Sequence, residues 1–388
     1  MPTTSREKES GDRSPHSKAA GRRSDRYAMR RQKLASRLRQ ENVPALLVSN
    51  VTNVAYLTGF TGDSSWLLVG HGQPILISDT RYETQIAEEC PGLEAVIRTN
   101  VQTLEEMLAA VAARLKLHQI GIEADSLTVA QLGSLEKKCE LVDFLPTSSL
   151  VEDLRQIKDA HEIAEIREAV RLAERGFGVL TASLLAGATE REVAHDLEHT
   201  VRRLGGSGLS FPPIVAVGPR AALPHARPGT GPVGGAEFVL VDWGAESPGG
   251  YKSDLTRVVV TGKIRPKLER LYRLVFTAQQ RGIEAVRPGA LCKQVDAAAR
   301  CVIEDAGHGQ HFGHGLGHGI GLNIHEAPRL KPDADTELRP GMVVTIEPGV
   351  YLPGWGGIRI EDDVLVTRDG CEVLTSLPKE LEELVVAI

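Results

Sequence analysis

A chain of 388 residues is long enough for two domains, and 41% hydrophobic with 25% charged residues is the composition of an ordinary globular protein. It holds no run of about 18 apolar residues, so no transmembrane helix and no membrane association are expected. A formal net charge of −6 gives no ground for a nucleic-acid partner. Residues 1–33 carry ten Lys/Arg against four Asp/Glu, a net of +6, which leaves −12 for the remainder. Residues 1–28 have almost no apolar side chain before Tyr27 and are expected to form a disordered basic tail, dispensable for folding and activity. Met29 stands directly before the first amphipathic pattern and is a candidate initiator. The tail lacks the apolar centre of a secretory signal, and Glu7, Glu9, Asp12 and Asp25 do not suit a transit peptide. Five scattered cysteines with no C-x-x-C pair read as reduced thiols of a cytoplasmic protein.

Residues 30–40 predict a basic amphipathic helix. Strand-like runs follow at 45–49, 66–69 and 75–77, with helices at 103–115 and 128–138, so residues 29–148 read as a small α/β domain. The second domain is expected over 149–388. It opens with a long charged helix over 152–185, whose apolar residues Ile163, Ile166, Val170 and Ala173 fall at helical spacing. Thr189-Glu190-Arg191-Glu192 is a capping box that predicts a helix to 204. A strand, hairpin and strand over 236–261, helices over 266–286 and 291–306, a Gly/His-rich segment, and strands over 342–351 and 357–367 complete the chain. No period of 20–50 residues is visible, so the chain is not a solenoid. Helices followed by an acid-bearing strand pair recur in each half of 155–388, a weak internal two-fold pattern.

The chemistry concentrates in the last 160 residues. Five of twelve histidines (His308, His311, His314, His318, His325) fall within 18 residues, spaced by glycines that let backbone approach a ligand closely. Asp242 and Asp254 lie upstream, Glu347 and Glu361 downstream, each in a run of β-branched residues where an unpaired carboxylate is costly to bury. Residues two apart on a strand share a face, which pairs Asp254 with Thr256, Thr345 with Glu347, and Arg359 with Glu361. Taken singly, each acid is explained by a solvated face or a turn. Two Asp, a His and two Glu together point to a metal centre. Its oxygen-rich donors suit Mn²⁺ or Co²⁺ better than a structural zinc, and four carboxylates are more than one divalent ion needs. The glycines do not follow a strand and lack a ribose-binding acid, so a dinucleotide fingerprint is not indicated.

Several segments together resemble a known family. They are Leu223-Pro224-His225, Val241-Asp242-Trp243-Gly244-Ala245, Ser253-Asp254-Leu255-Thr256-Arg257, His314 to Leu322, His325-Glu326, Thr345-Ile346-Glu347-Pro348-Gly349 and Arg359-Ile360-Glu361-Asp362. The chain resembles the M24 metallopeptidases of the pita-bread fold that act on proline peptides, Xaa-Pro dipeptidase and aminopeptidase P. The likeness runs from about Arg30 to the end. Tyr56-Leu57-Thr58-Gly59-Phe60-Thr61-Gly62 resembles the creatinase-like N-terminal domain of that group. The implied fold is an α/β creatinase-like domain followed by an α+β pita-bread catalytic domain.

The resemblance implies a metal set of Asp242, Asp254, His318, Glu347 and Glu361. Asp254 and Glu361 would bridge two divalent ions per subunit, Mn²⁺ foremost, with Co²⁺ or Zn²⁺ as alternatives. It also implies a bridging water or hydroxide as nucleophile, with Glu347 shuttling its proton. His225 and His325 would polarise the scissile carbonyl and bind substrate, His314 would line the proline pocket, and Arg359 would orient the site. Proline-containing peptides are the expected partners, and a homodimer the expected assembly, with the 56–64 loop covering part of a partner's site. The 246–250 turn is about one residue longer than the family's usual hairpin. Spacing leaves dipeptidase and aminopeptidase P unseparated. Methionine aminopeptidase does not fit the N-terminal domain or the Leu-Pro-His motif. Metal-free creatinase-like hydrolysis and an inactive binding module do not fit an intact ligand set.

Overall fold

The structure, a computed structural model, describes residues 15–70 and 72–388, with side chains from Asp25 onward. It divides into two compact units between Leu154 and Arg155, a few residues beyond the boundary expected at 148.

In the first unit six strands form one mixed sheet in the order Glu94–Arg98, Ile75–Asp79, Trp66–Gly70, Ala45–Val48, Gln119–Glu123, Asp143–Thr147. Trp66–Gly70 runs antiparallel to both its neighbours, and the remaining pairs are parallel. The first three strands in the chain are those the sequence predicts. The other three escape prediction: the edge strands Glu94–Arg98 and Asp143–Thr147 are half exposed and carry no continuous apolar run, and the buried Gln119–Glu123 has its short apolar run broken by Gly121. Helices Leu104–Leu115 and Val129–Lys138 start at capping boxes, Thr103 with Glu106 and Thr128 with Gln131. Leu108, Val111 and Leu135 pack with Leu47, Leu68, Ile77 and Ile120 into one core.

The first helix runs Pro15–Gln40, not 30–40. Of the tail expected over 1–28, residues 1–14 lie outside the described residues, while residues 15–28 belong to this helix. The physical reason sits at Tyr27, whose ring occupies the space a side chain at Gly59 would need: a Cβ there would lie 2.4 Å from Tyr27 Cε2, and Gly59 itself has φ +79°. Arg30 and Arg31 donate to the carbonyls of Tyr56 (3.0 Å) and Leu57 (2.7 Å). These carbonyls lie in the last turn of helix Val51–Thr58, the end where cations are favoured.

In the second unit the expected 152–185 helix is two helices, Glu152–Arg155 (on the boundary) and Ala160–Ser183. The break falls at Asp159, which caps the longer helix by accepting from the backbone N–H groups of His161 and Glu162. Leu255–Val260, Phe238–Trp243 and Ile214–Val217 form an antiparallel sheet. A second antiparallel sheet has the order Glu326–Leu330, Gly317–Gly319, Val343–Ile346, Asp362–Val366, Cys371–Val373. A bridge between Thr256 and Glu361 joins the two sheets.

Ala160–Ser183 and Glu190–Arg203 cover the first sheet, Leu172, Phe177 and Leu197 meeting Val239, Val241 and Trp243. The ring of Trp243 stacks on Phe177 at 4.5 Å and its Nε1 donates to the Ala173 carbonyl at 3.0 Å. Pro266–Ala285 and Cys292–Asp305 pack in a core with Leu240, Val258, Val344, Ile346 and Val364. Each helix pair thus backs strands that carry acids.

Candidate metal centre

Strand alternation aims the acids. Val239, Val241 and Trp243 face the helices, so Asp242 faces the other way, directly opposite Thr256 in the ladder. Asp254 stands two residues before Thr256 on the same face, and the bridge at Thr256 brings Glu361 alongside. Thr256 Oγ1 donates to Glu361 Oε2 at 2.6 Å and accepts from Arg359 Nε at 3.1 Å. Arg359 also binds Asp242 Oδ2. Asp254, His318 and Glu361 place ligand atoms within 4.8 Å of one another, all three buried.

His318 reaches this cluster from the interior strand Gly317–Gly319, second in its sheet, where the sequence shows only a glycine loop. The glycines are there for the neighbouring strands: a Cβ on Gly317 would lie 1.9 Å from the Thr345 carbonyl oxygen, and one on Gly319 2.3 Å from that of Ala327. His318 N–H donates to Thr345 Oγ1 (3.1 Å), and Thr345 Oγ1 donates to Glu347 Oε1 (3.3 Å). One hydroxyl thereby fixes both candidate ligands.

The tautomer of His318 follows from its partners. Nδ1 lies 3.1 Å from the Gly319 carbonyl, which only accepts, so Nδ1 carries the proton. Nε2 then presents a lone pair, 3.4 Å from Glu347 Oε1 and 3.6 Å from Asp254 Oδ2. Protonating the ring would supply the missing positive charge, yet burial, and next the neighbouring His325, push its pKa down to about 3. A lone pair facing two carboxylates is repulsive unless one of them holds a proton or a cation lies between them.

The acids say the same. Burial, and then repulsion from Glu361 for Asp254 and from Glu347 for Glu361, raise both well above the ordinary carboxylate range, and burial lifts Glu347 to about 8. Asp242 is raised too, despite Arg359. Asp242 Oδ1, Glu361 Oε1 and Asp363 Oδ1 are buried without a hydrogen-bond partner among the described residues. Orphaned oxygens, an acceptor imidazole and raised carboxyls fit divalent cations.

All nine expected residues line one cavity of about 1050 Å³: Asp242, Asp254, Glu347, Glu361, His318, His225, His314, His325 and Arg359. His325 stands edge-on to His318, ring centroids 4.4 Å apart, and burial lowers its pKa. His314 Nδ1 donates to the Gly315 carbonyl at 2.8 Å. Its Nε2 therefore accepts from Tyr351 Oη at 2.8 Å, and Tyr351 in turn accepts from Arg359 at 2.7 Å. Burial drives the His314 pKa to about 4. Both ring nitrogens are thus committed, and His314 offers the cavity a neutral ring.

Sequence reasoning missed Tyr351, Asp363, Phe211 and Arg329. Asp363, whose Oδ2 accepts from Asp254 N–H at 3.0 Å, continues the alternation of Arg359 and Glu361 and was legible in principle. Phe211 lies on the cavity wall with Pro212 and Pro213, and the exposed Arg329 lies opposite His318 in the ladder. Nothing local in the sequence marks either.

Residues 164–368 match the model of metallopeptidase family M24, and residues 30–157 that of the creatinase/prolidase N-terminal domain. The chain belongs to the M24 metallopeptidases, and its fold is a creatinase-type domain followed by a pita-bread catalytic domain. It is 33% identical over 344 residues to the Xaa-Pro dipeptidase of Pyrococcus horikoshii, covering 88% of this chain and 95% of that protein. The Xaa-Pro dipeptidase from Bacillus anthracis superposes with a TM-score of 0.89 at 37% identity, over 93% of this chain and all of that one (100%). The X-Pro aminopeptidase of Thermotoga maritima gives 0.82 at 34% identity, over 89% and 98%. Membership of this family implies divalent metal ions, which the donor set above accommodates.

Proposed function

We propose that the chain is a metal-dependent peptidase that hydrolyses Xaa-Pro peptide bonds. The observation that carries the reading is the His318 lone pair facing Asp254 and Glu347 inside a cavity of peptide size, in a chain similar over nine-tenths of its length to Xaa-Pro peptidases. Asp242, Asp254, His318, Glu347 and Glu361 would hold two divalent ions, Mn²⁺ foremost, with Asp254 and Glu361 shared between them. When bound, the ions supply the charge that lets water act as a nucleophile near neutral pH.

This chain's residues do the remainder. Glu347, held through Thr345, takes the proton from the attacking water and delivers it to the departing proline nitrogen. His225 and His325 donate to the scissile carbonyl as charge develops on its oxygen. His314 gives the proline ring a neutral aromatic wall. Arg359 restrains Asp242 and, through Tyr351, the His314 tautomer. Arg329 lines the cavity with no ion pair among the described residues, and its guanidinium suits the free carboxylate of a dipeptide. That favours dipeptidase over aminopeptidase P action.

The proposal extends to a cytoplasmic homodimer. Free cysteines support the compartment, and no helix among the described residues is long and apolar enough to cross a membrane. The test is Mn²⁺-loaded protein given Gly-Pro and a longer Xaa-Pro-Yaa peptide, with products read by mass spectrometry. Release of the residue before proline is expected, faster from the dipeptide. A metal-replete enzyme that cleaves neither would overturn the function. Equal or faster cleavage of the longer peptide would overturn the dipeptidase assignment alone.

A further inference from the structure

Outside the metal cluster, the second unit buries an acid–base pair that the proposed mechanism leaves unused. Asp296 and Arg300 lie one turn apart on helix Cys292–Asp305, with side chains 1% and 16% exposed. Their contacts fix them rigidly against each other: Arg300 Nε meets Asp296 Oδ2 at 2.7 Å and Nη2 meets Oδ1 at 2.9 Å. What remains of both groups is aimed at one segment. Arg300 donates to the carbonyls of Phe312 (3.1 Å) and His314 (2.7 Å), and Asp296 Oδ1 accepts the buried Leu316 N–H at 3.0 Å. The guanidinium also lies over the Phe312 ring, 4.2 Å from its centroid, and that ring stands edge-on to His314 at 5.1 Å.

We infer that Asp296 and Arg300 are positioning residues that hold the 312–316 backbone so that the His314 ring forms the cavity wall. This rests on the reading of His314 as the proline-facing wall. The segment has Gly313 and Gly315 on either side of His314, so its backbone has more freedom to lose than an ordinary strand. His314's own nitrogens bind Gly315 and Tyr351, which set the ring's rotation but leave the backbone under it to be fixed from elsewhere. A planar guanidinium already locked by a carboxylate meets that need, because its two terminal nitrogens reach the carbonyls on either side of Gly313 at little further entropy. Lysine has no such fork.

The test uses the metal-loaded full chain and the variants R300A, R300K and D296N. Metal content should stay at the wild-type level, since neither side chain contacts a candidate ligand. For Gly-Pro, R300A should raise KM by about tenfold with kcat within about twofold, the pattern of a lost binding wall. R300K, which keeps the ion pair but not both carbonyl bonds, should fall between. Hydrogen exchange read by mass spectrometry should show amides of 312–316 exchanging about tenfold faster or more in R300A and D296N. Should R300A fail to fold, D296N and R300K carry the comparison. Wild-type KM and wild-type exchange in these variants would overturn the inference, as would a fall in kcat with KM and exchange unmoved. If the wild type itself cleaves no Xaa-Pro bond, the functional reading falls while exchange at 312–316 still decides this one.

Discussion

At His318 the choice of tautomer decides what the side chain is for. With Nδ1–H given to Gly319, the remaining lone pair points at two carboxylates, and a cation between them reconciles all three. Burial and the repulsion of neighbouring carboxylates raise Asp254 and Glu361 well above the ordinary carboxylate range, and they are the proposed shared ligands. D254A and E361A should therefore each lower metal content below one ion per chain and reduce kcat/KM by about 10³-fold or more. Metal analysis beside the kinetics checks this, and an active, metal-replete variant would remove that residue from the set. H225A and H325A should keep their metal yet lose about 10²-fold in kcat, the scale of removing one donor from a developing oxyanion. Loss of metal from either would reassign it. Asp242, Asp254, Glu347 and Glu361 are legible in the sequence because an ionisable group among β-branched residues has few bland explanations. Tyr351, Asp296 and Arg300 are not, because their roles arise from contacts with His314 and its loop, 12 to 37 residues away in sequence.

The elements that bring these side chains together owe their form to close backbone approach more than to apolar periodicity. Gly317–Gly319 is an interior strand whose glycines admit Thr345 and Ala327, and a sequence pattern tuned to apolar alternation has nothing to register there. Leu104–Leu115, Val129–Lys138 and Glu190–Arg203 read well from sequence because capping boxes and 3.6-residue spacing are local, whereas Val51–Thr58 escapes prediction. So do the half-exposed edge strands. One anchor in the second unit is ionic. Glu326, next to His325, has a side chain 6% exposed and binds Arg155 and Lys158, themselves 2% and 1% exposed, and it accepts from Asn323 N–H at 3.0 Å. Burial alone would raise its pKa, but Lys158 and Arg155 outweigh that and hold it below the ordinary carboxylate range. A carboxyl lowered in the folded state stabilises above its unfolded pKa, about 4.3, and that stability is lost as pH falls through the folded value. E326Q should therefore cost about 3 kcal/mol at pH 7, because it removes the carboxylate that two buried cations share. The gap to wild type should close below about pH 4. Paired denaturation curves at pH 7 and at the lowest pH the fold tolerates check this, and a gap unchanged with pH would show that the bond is structural without being ionic.

For the whole molecule, the charge division read from the sequence takes on a structural meaning. The basic start of the chain includes Arg30 and Arg31, which serve the carbonyl end of helix Val51–Thr58, so part of the +6 belongs to the folded first unit. Light scattering should give about twice 41.9 kDa for the proposed homodimer, and a fully active monomer would overturn that assembly. The first helix bears on where the chain can be shortened. Tyr27 fills the space above Gly59, with the guanidinium groups of Arg26 and Arg30 at 5.0 and 5.7 Å from its ring centroid, and Arg30 also lies 4.1 Å from the Tyr56 ring centroid. Removing residues 1–28 strips this ring away, whereas removing residues 1–24 leaves it in place. The longer deletion should cost about 1–2 kcal/mol relative to the shorter, the scale of a half-buried aromatic with its cation contacts. Peptidase activity and metal content should be the same in both, since no candidate ligand lies in the first unit. Y27A in the full-length chain should reproduce most of the difference in denaturation midpoint. Equal stability of the two truncations would mean that the Tyr27 contact contributes nothing and that all 28 residues are dispensable, as composition alone suggests.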